Sequence, residues 1–226
     1  MSANSPLIAL TRLSPHRNSP RNQRITKITI HHTAGNIGLE ALGNWLSQPA
    51  TRASYNYGIS TDGRIGLFVA ERDRSWASSS AANDHQAVTI GVANNGGAPD
   101  WSVSDAAYES LIALCADICR RNGIAELVYD GTPNGSLTRH NFFSATSCPG
   151  PFLQERFPDI VQRVNAALAP PVTLPPDVAP WARDAWAWAM REGITDGTRP
   201  SDPVTRQEIV TMLHRYHLAQ SQQPPT

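Results

Sequence analysis

A chain of 226 residues can hold one well-cored domain and a small appendage. Charged residues make up 17% and the formal net charge is zero, so no electrostatic capture of nucleic acid or of a membrane surface is expected. No run of about 20 apolar residues occurs, which leaves no candidate membrane span, and three cysteines do not make a disulfide framework.

The first 24 residues contain Arg12, Arg17, Arg21, Arg24, three prolines and no acid. They read as an extended basic arm. The apolar piece PLIAL inside it is too short for the core of a signal peptide, so synthesis in the cytoplasm is expected. Residues 25–31 read as a strand that runs into ITIHHTAG, residues 28–35. Successive side chains of a strand point to opposite faces. Ile28, Ile30 and His32 then share one face, and Thr29, His31 and Thr33 the other. One imidazole can be a ligand or catalyst while its neighbour packs. Taken alone, the pair is equally compatible with two structural histidines at a strand end.

Residues 39–48 read as a short helix with Leu39, Leu42, Trp45 and Leu46 on one face. YNYGIS and RIGLFVA read as two strands joined by an Asp-Gly turn, and AVTIGVAN, 87–94, as another strand. Residues 104–122 carry Tyr108, Leu111, Ile112, Cys115, Ile118 and Cys119 at helical spacing. Ser104 suits the N-cap, Asp105 the first turn, Arg120 and Arg121 the last turn, and Gly123 the C-terminal stop. Cys115 and Cys119 are therefore expected as small core residues. A short strand near 125–129, a strand at LTRH and helix over 151–168 complete an α/β domain. Five prolines in residues 169–180 mark a semi-rigid linker. Residues 181–218 read as a helical hairpin with a capping box at Thr205 and Glu208. Residues 219–226 are expected to be a disordered tail.

His140 and Cys148, eight apart, join His31 as two imidazoles and a thiolate. Zinc accepts such donors tetrahedrally, and three protein ligands leave a fourth position open. An open zinc lowers the pKa of its bound water toward ~7. No close Cys pair of the structural-zinc kind is present. Spacing alone leaves open whether these three residues meet at all.

ITIHHTAG, SYNYGISTDGRIG and HNFFSATSCP occur in this order and resemble the zinc-dependent N-acetylmuramoyl-L-alanine amidases of the amidase-2 group. That group includes phage endolysins and shares its fold with peptidoglycan recognition proteins. The resemblance covers about residues 20–168. It implies a central mixed β-sheet flanked by helices, one Zn2+ per chain held by His31, His140 and Cys148, and peptidoglycan as substrate. It gives Tyr55 and Thr146 catalytic roles at the developing oxyanion. Thr146 stands where relatives carry Lys or Thr, and supplies no positive charge. Some relatives have a Glu on the strand equivalent to 88–94, and VTIGVAN has no acid. Trp76 and Asn94 are expected in the substrate groove.

The tail, with its aromatic-rich helix, GITDGTRPSDP loop and TRQE start, resembles a single S-layer homology motif. This implies binding to a secondary cell-wall polymer with Arg206 in contact, self-association through the tail, or a hairpin that only packs. The resulting expectation is a phage or prophage endolysin that acts at the wall after release. The alternatives are a cytosolic muropeptide-recycling amidase and a non-catalytic peptidoglycan sensor.

Overall fold

The computed structural model describes residues 4–170 and 172–221, with side chains to 218. Residues 4–169 and 170–221 form two units, each taken by itself. The first is built on strands β1 (Ile8–Thr11), β3 (Lys27–His32), β4 (Tyr57–Ile59), β5 (Ile65–Leu67), β7 (Ala87–Val92) and β8 (Leu137–Arg139). Their spatial order is β1-β5-β4-β7-β3-β8. Only β4 and β5 run antiparallel, across the Asp-Gly turn, and every other pair is parallel. A two-stranded antiparallel ribbon joins β2 (Arg17–Asn18) to β6 (Arg74–Ser75).

One face of the sheet is apolar. Ile28, Ile30, Val88, Ile90 and Val92 alternate inward and pack with Leu111, Leu114, Cys115 and Ile118 of α3 (Asp105–Asn122) and with Phe157, Ile160 and Val164 of α5 (Phe157–Leu168). Cys115 and Cys119 are both fully buried there. Helix α3 starts and stops as its sequence dictates. The Ser104 hydroxyl accepts the Ala107 N–H at 3.2 Å, and Gly123 ends the helix with φ +68°.

The other face is closed in part by α1 (Leu39–Leu46). Leu39, Leu42 and Leu46 form a second cluster with Phe68. Gly58 and Gly66 of the sheet make the room, since a Cβ on either would lie within 2.8 Å of the Phe68 ring.

The N-terminal segment differs from a free arm. It is extended, but β1 pairs with β5 and β2 with β6, so residues 8–18 are built into the fold. Arg21, part of the expected basic arm, is mostly buried, and its guanidinium donates to the carbonyls of Glu71, Asp73, Asp84, His85 and Ala87. Desolvation lowers its pKa to about 10, against the raising effect of Glu71, Asp84 and Asp73. A second buried network holds the start of the chain to α3. Glu71 pairs with Arg121 at 2.7 Å and accepts the Tyr57 hydroxyl at 2.7 Å, while Tyr57 accepts the Ser5 N–H at 2.8 Å.

Residues 125–129 are not a strand. Leu127 is instead tied to α5, where the Asn165 amide bonds both its N–H and its carbonyl at 2.8 and 2.9 Å. The helix expected over 151–168 breaks at Arg156 into α4 (Pro151–Glu155) and α5.

In the second unit, a short 3-10 turn (Pro180–Ala182) leads into α6 (Arg183–Arg191), and a loop leads to α7 (Arg206–Ser221). The Thr205–Glu208 capping box is formed, with the Thr205 N–H donating to Glu208 at 2.8 Å and the Glu208 N–H donating to the Thr205 hydroxyl at 3.2 Å. Residues 222–226 of the expected tail lie outside the described residues. Among the described residues no helix is long and apolar enough to cross a membrane.

Candidate metal centre and active site

The alternation along β3 decides which histidine reaches the site. Ile28 and Ile30 face the α3 core, and Thr29 and His31 face the opposite side. Strand β8 runs parallel beside β3, with Ile30 opposite Arg139. A 3-10 turn at His140–Phe142 follows β8 directly and sets His140 next to His31, with ring centroids 4.7 Å apart and planes at 53°. The loop before α4 then returns Cys148, whose Sγ lies 3.7 Å from His31 Nδ1. His31, His140 and Cys148 each offer one ligand atom within 4.8 Å of the others. Zinc bound at about 2.0–2.1 Å to nitrogen and about 2.3 Å to sulfur holds tetrahedral donors roughly 3.3–3.6 Å apart. The cluster is therefore close to the size of a metal's coordination shell.

The chemistry of the donors agrees. His31 is fully buried, and its Nε2 and that of His140 have no hydrogen-bond partner among the described residues. Buried polar atoms are seldom left this way without a ligand or water. Burial first, then the neighbouring imidazoles of His140 and His32, hold His31 well below the usual histidine range. Burial also lowers His140. Both rings are neutral at pH 7, with lone pairs to give. Burial pushes the Cys148 thiol up to about 12, partly opposed by the His32 N–H that it accepts at 3.3 Å. A bound cation reverses that direction, because coordination favours the thiolate.

Beneath His31 lies a buried polar layer. Thr29 and Thr138 hydroxyls bond at 2.8 Å, and Asn83 Nδ2 donates to Thr29 at 2.9 Å. Asp84 accepts the Ser78 hydroxyl at 2.6 Å and the N–H groups of Ala77 and Ser78. These bonds pin the strand that carries the metal-facing histidine.

Tyr55 packs on His31, with ring centroids 5.2 Å apart. Desolvation of the phenol, then the nearby Cys148, pushes its pKa above the usual phenol value. It stays protonated and available as a donor. Gly91 on β7 lies in register with His31, and a Cβ there would meet Tyr55 Cδ2 and Cε2 at 2.8 Å. The Thr146 oxygen accepts the Cys148 N–H at 3.2 Å, which leaves its own O–H free to donate.

Trp76 and Asn94, expected in the groove, are each held by their own surroundings, and Arg206, expected at the wall, is at the surface. Trp76 is half-buried against the N-terminal segment, its indole N–H donating to Asn18 at 2.7 Å and its ring 5.6 Å from that of His16. Asn94 is 1% exposed and donates to the Trp101 carbonyl at 2.7 Å, so it braces a loop instead of presenting its amide to a groove. Arg206 opens α7 in the second unit and is exposed.

Two residues near the metal cluster escaped sequence reasoning. Gly91 carried a signal, since a glycine inside a strand marks a close approach. Trp101 carried almost none. It packs edge-on against His32 at 5.0 Å, its backbone has φ +54°, and a Cβ on Gly150 would lie 2.8 Å from its own Cβ. A positive φ at a bulky residue costs about 1–3 kcal/mol and persists only where the surroundings impose it.

Residues 21–151, more than half of the chain, match the family model described as N-acetylmuramoyl-L-alanine amidase. The chain belongs to this family. As a member the protein is a peptidoglycan amidase, and its matched segment includes His31, Tyr55, His140, Thr146 and Cys148. Solved structures share the fold. A mutant of PlyL aligns at 14% identity over 74% of this chain and 99% of its own, with a TM-score of 0.55. The endolysin amidase LysCS from Clostridium intestinale URNW aligns at 22% identity over 68% and 95%, with a TM-score of 0.50. The Staphylococcus aureus hydrolase AmiA, in complex with its ligand, aligns at 16% identity over 74% and 85%, with a TM-score of 0.54. No curated protein matches the sequence.

Proposed function

We propose that the amidase holds one zinc ion through His31, His140 and Cys148 and cleaves the amide between the lactyl group of N-acetylmuramic acid and L-alanine, as an endolysin-type enzyme. The observation that carries this reading is the convergence of two neutral imidazoles, His31 buried and His140 half-buried, and one buried thiol within 4.8 Å. Zinc at that cluster supplies Lewis acidity and a water of lowered pKa. The chain's own residues do the rest. Tyr55, kept protonated, donates to the oxygen of the scissile carbonyl as negative charge gathers there. Thr146 donates its hydroxyl to the same oxygen and holds the loop of Cys148 by accepting that residue's N–H. Water adds to the carbonyl carbon, the C–N bond breaks, and the L-alanine nitrogen leaves as an amine after taking a proton. Strand β7 (Ala87–Val92) carries no acid where some relatives have a Glu, so no carboxylate on that strand takes the proton.

The second unit is read as a wall-binding or self-association element. Its support is the formed capping box and the exposed Arg206 at the start of α7.

The test combines metal content with turnover. The purified protein is assayed for zinc per chain and incubated with Gram-positive sacculi, with and without chelator. The expected result is about one zinc per chain and new free L-alanine amino termini that disappear with the chelator. Bound zinc with no new amino termini would overturn the catalytic reading and leave a peptidoglycan-binding protein.

A further inference from the structure

Trp101 is held at the metal cluster by more bonds than a loop residue needs. Its N–H donates to the Gly97 carbonyl at 3.0 Å, and its carbonyl accepts the buried Asn94 amide at 2.7 Å. Its ring meets His32 edge-on, with planes at 89°. His32 in turn donates its backbone N–H to Cys148. Gly150, two residues past Cys148 and at φ +86°, lies against the Trp101 Cβ and ring. The neighbouring residues on both sides are tied as well. The Asp100 carbonyl accepts the Phe152 N–H at 3.2 Å, and the Ser102 carbonyl accepts the Asn95 N–H at 3.0 Å. A backbone outlier on an aromatic residue, fixed by this many partners beside a reactive cluster, is the pattern of a side chain placed for a ligand. Trp101 as a whole remains partly exposed to solvent.

We propose that Trp101 is the platform on which the saccharide of the substrate stacks, and so a determinant of specificity for a glycan-bearing substrate over a bare peptide. The inference rests on the amidase reading and adds the ligand class of one side of the site. The chemistry favours a neutral sugar. An indole gives a flat, rigid apolar surface with little conformational freedom to lose, suited to the C–H face of a pyranose ring. Asn95 and Ser102, bonded to each other beside it, are uncharged hydrogen-bonding groups. Asp100 beside it is the nearest charge in sequence, and its sign repels the carboxylates of a stem peptide. Asn94 is a positioning residue that acts through the Trp101 carbonyl. Trp76, by contrast, is committed to Asn18 and His16.

The experiment compares wild type, Trp101→Ala, Trp101→Phe and Asn94→Ala on two substrates: a disaccharide-peptide, and the corresponding lactyl-peptide without sugar. Zinc per chain is measured for each. The expected result for Trp101→Ala is a KM raised about tenfold or more on the disaccharide-peptide, with kcat, zinc content and the KM of the sugarless substrate little changed. Trp101→Phe should recover much of the loss, and Asn94→Ala should shift the same KM by less. Equal losses on both substrates, or loss of zinc, would overturn the proposal and make Trp101 a support for His32. If wild type cleaves neither substrate, the amidase reading fails, and calorimetric binding of the disaccharide-peptide decides the inference separately. Binding that survives Trp101→Ala unchanged would overturn it.

Discussion

Gly91 and Tyr55 are complementary surfaces. A Cβ on Gly91 would stand 2.8 Å from two carbons of the Tyr55 ring, so the ring occupies the volume that any other residue at 91 would need. Since Gly91 pairs with His31 in the sheet register, this places the phenol over the metal-facing strand. Gly91→Ala should therefore push Tyr55 away from the site. A shift of about 1 Å at a catalytic group can cost about a hundredfold in rate. The expected outcome is kcat reduced tenfold to a hundredfold with zinc content unchanged. Combined with Tyr55→Phe, the two losses should be far from additive, because both act on one hydroxyl. Additive losses would mean that Gly91 matters for the strand and not for Tyr55.

Removing the metal or one of its ligands should separate folding from catalysis. Cys148→Ser keeps the size of the side chain but replaces a thiolate donor with a hydroxyl. Zinc retention through dialysis should fall well below one per chain, and activity with it. A ligand that binds only the folded state stabilises it by RT ln(1 + [L]/Kd), about 4 kcal/mol at a thousandfold excess over Kd. For a unit of this size each kcal/mol moves Tm by roughly 2–4 °C. Chelator should thus lower the Tm of wild type by about 10 °C and leave Cys148→Ser nearly unmoved. Equal shifts in both proteins would place the metal elsewhere.

His85 couples the N-terminal segment to pH. Its Nδ1 accepts the Asn22 N–H at 3.1 Å, which the protonated ring cannot do. Desolvation, then Arg74 and Arg21, lower its pKa below the usual value, against a smaller raising effect of Asp84. The folded state thus binds this proton less readily than the unfolded state. The contribution is intact above about pH 6.5, the ordinary histidine value, and is lost as pH falls from there through the folded-state pKa. The residue is half-buried at the surface, so the effect is small and best read directly. An NMR titration should place His85 below 6.5, and Asn22→Pro, which removes the N–H, should move it upward. A midpoint at or above the ordinary value would refute the assignment.

The sheet was legible in the sequence for a physical reason, whereas the grouping of His31, His140 and Cys148 was implied only by the family resemblance. Period-two alternation in Ile28–His32 and period-3.6 spacing in Leu111–Cys119 both report one buried face, and burial dominates their packing. That same alternation puts His31 and His32 on opposite faces, and the resemblance names His31 as the ligand. What stayed hidden depends on partners distant in sequence. The strand β1 reads as a basic, proline-flanked arm because its hydrogen bonds go to β5, more than 50 residues on. Arg21 reads as part of the same arm because the five carbonyls that bury it come from residues 71–87. Residues 125–129 have strand-like composition, but the Asn165 amide takes the backbone groups that a neighbouring strand would need. Trp76 and Trp101 are alike as letters, and only the loop bonds from Asn94 and Gly97 send the second one to the site.

Division of labour between the two units gives the last prediction. The first unit contains the whole metal cluster, Tyr55, Thr146 and its own apolar core. The second carries fourteen residues, 192–205, between its two α-helices and large apolar side chains at its surface, Trp181, Val210 and Leu213 among them, more than half exposed. A protein ending at residue 170 should keep its zinc and its turnover of a soluble disaccharide-peptide within about twofold of wild type. On intact sacculi it should lose wall retention in a pelleting assay, and with it most of its rate at low enzyme concentration, as expected when a tether raises local concentration. Arg206→Ala in the full chain should reproduce part of the pelleting defect without touching soluble turnover, because its guanidinium stands at the exposed start of α7. Light scattering of the full chain and the truncated protein distinguishes the two ways in which the tail could act. A smaller assembly after truncation assigns it to self-association, and an unchanged mass with lost pelleting assigns it to the wall polymer. Unchanged pelleting and unchanged mass together would remove both roles from the tail.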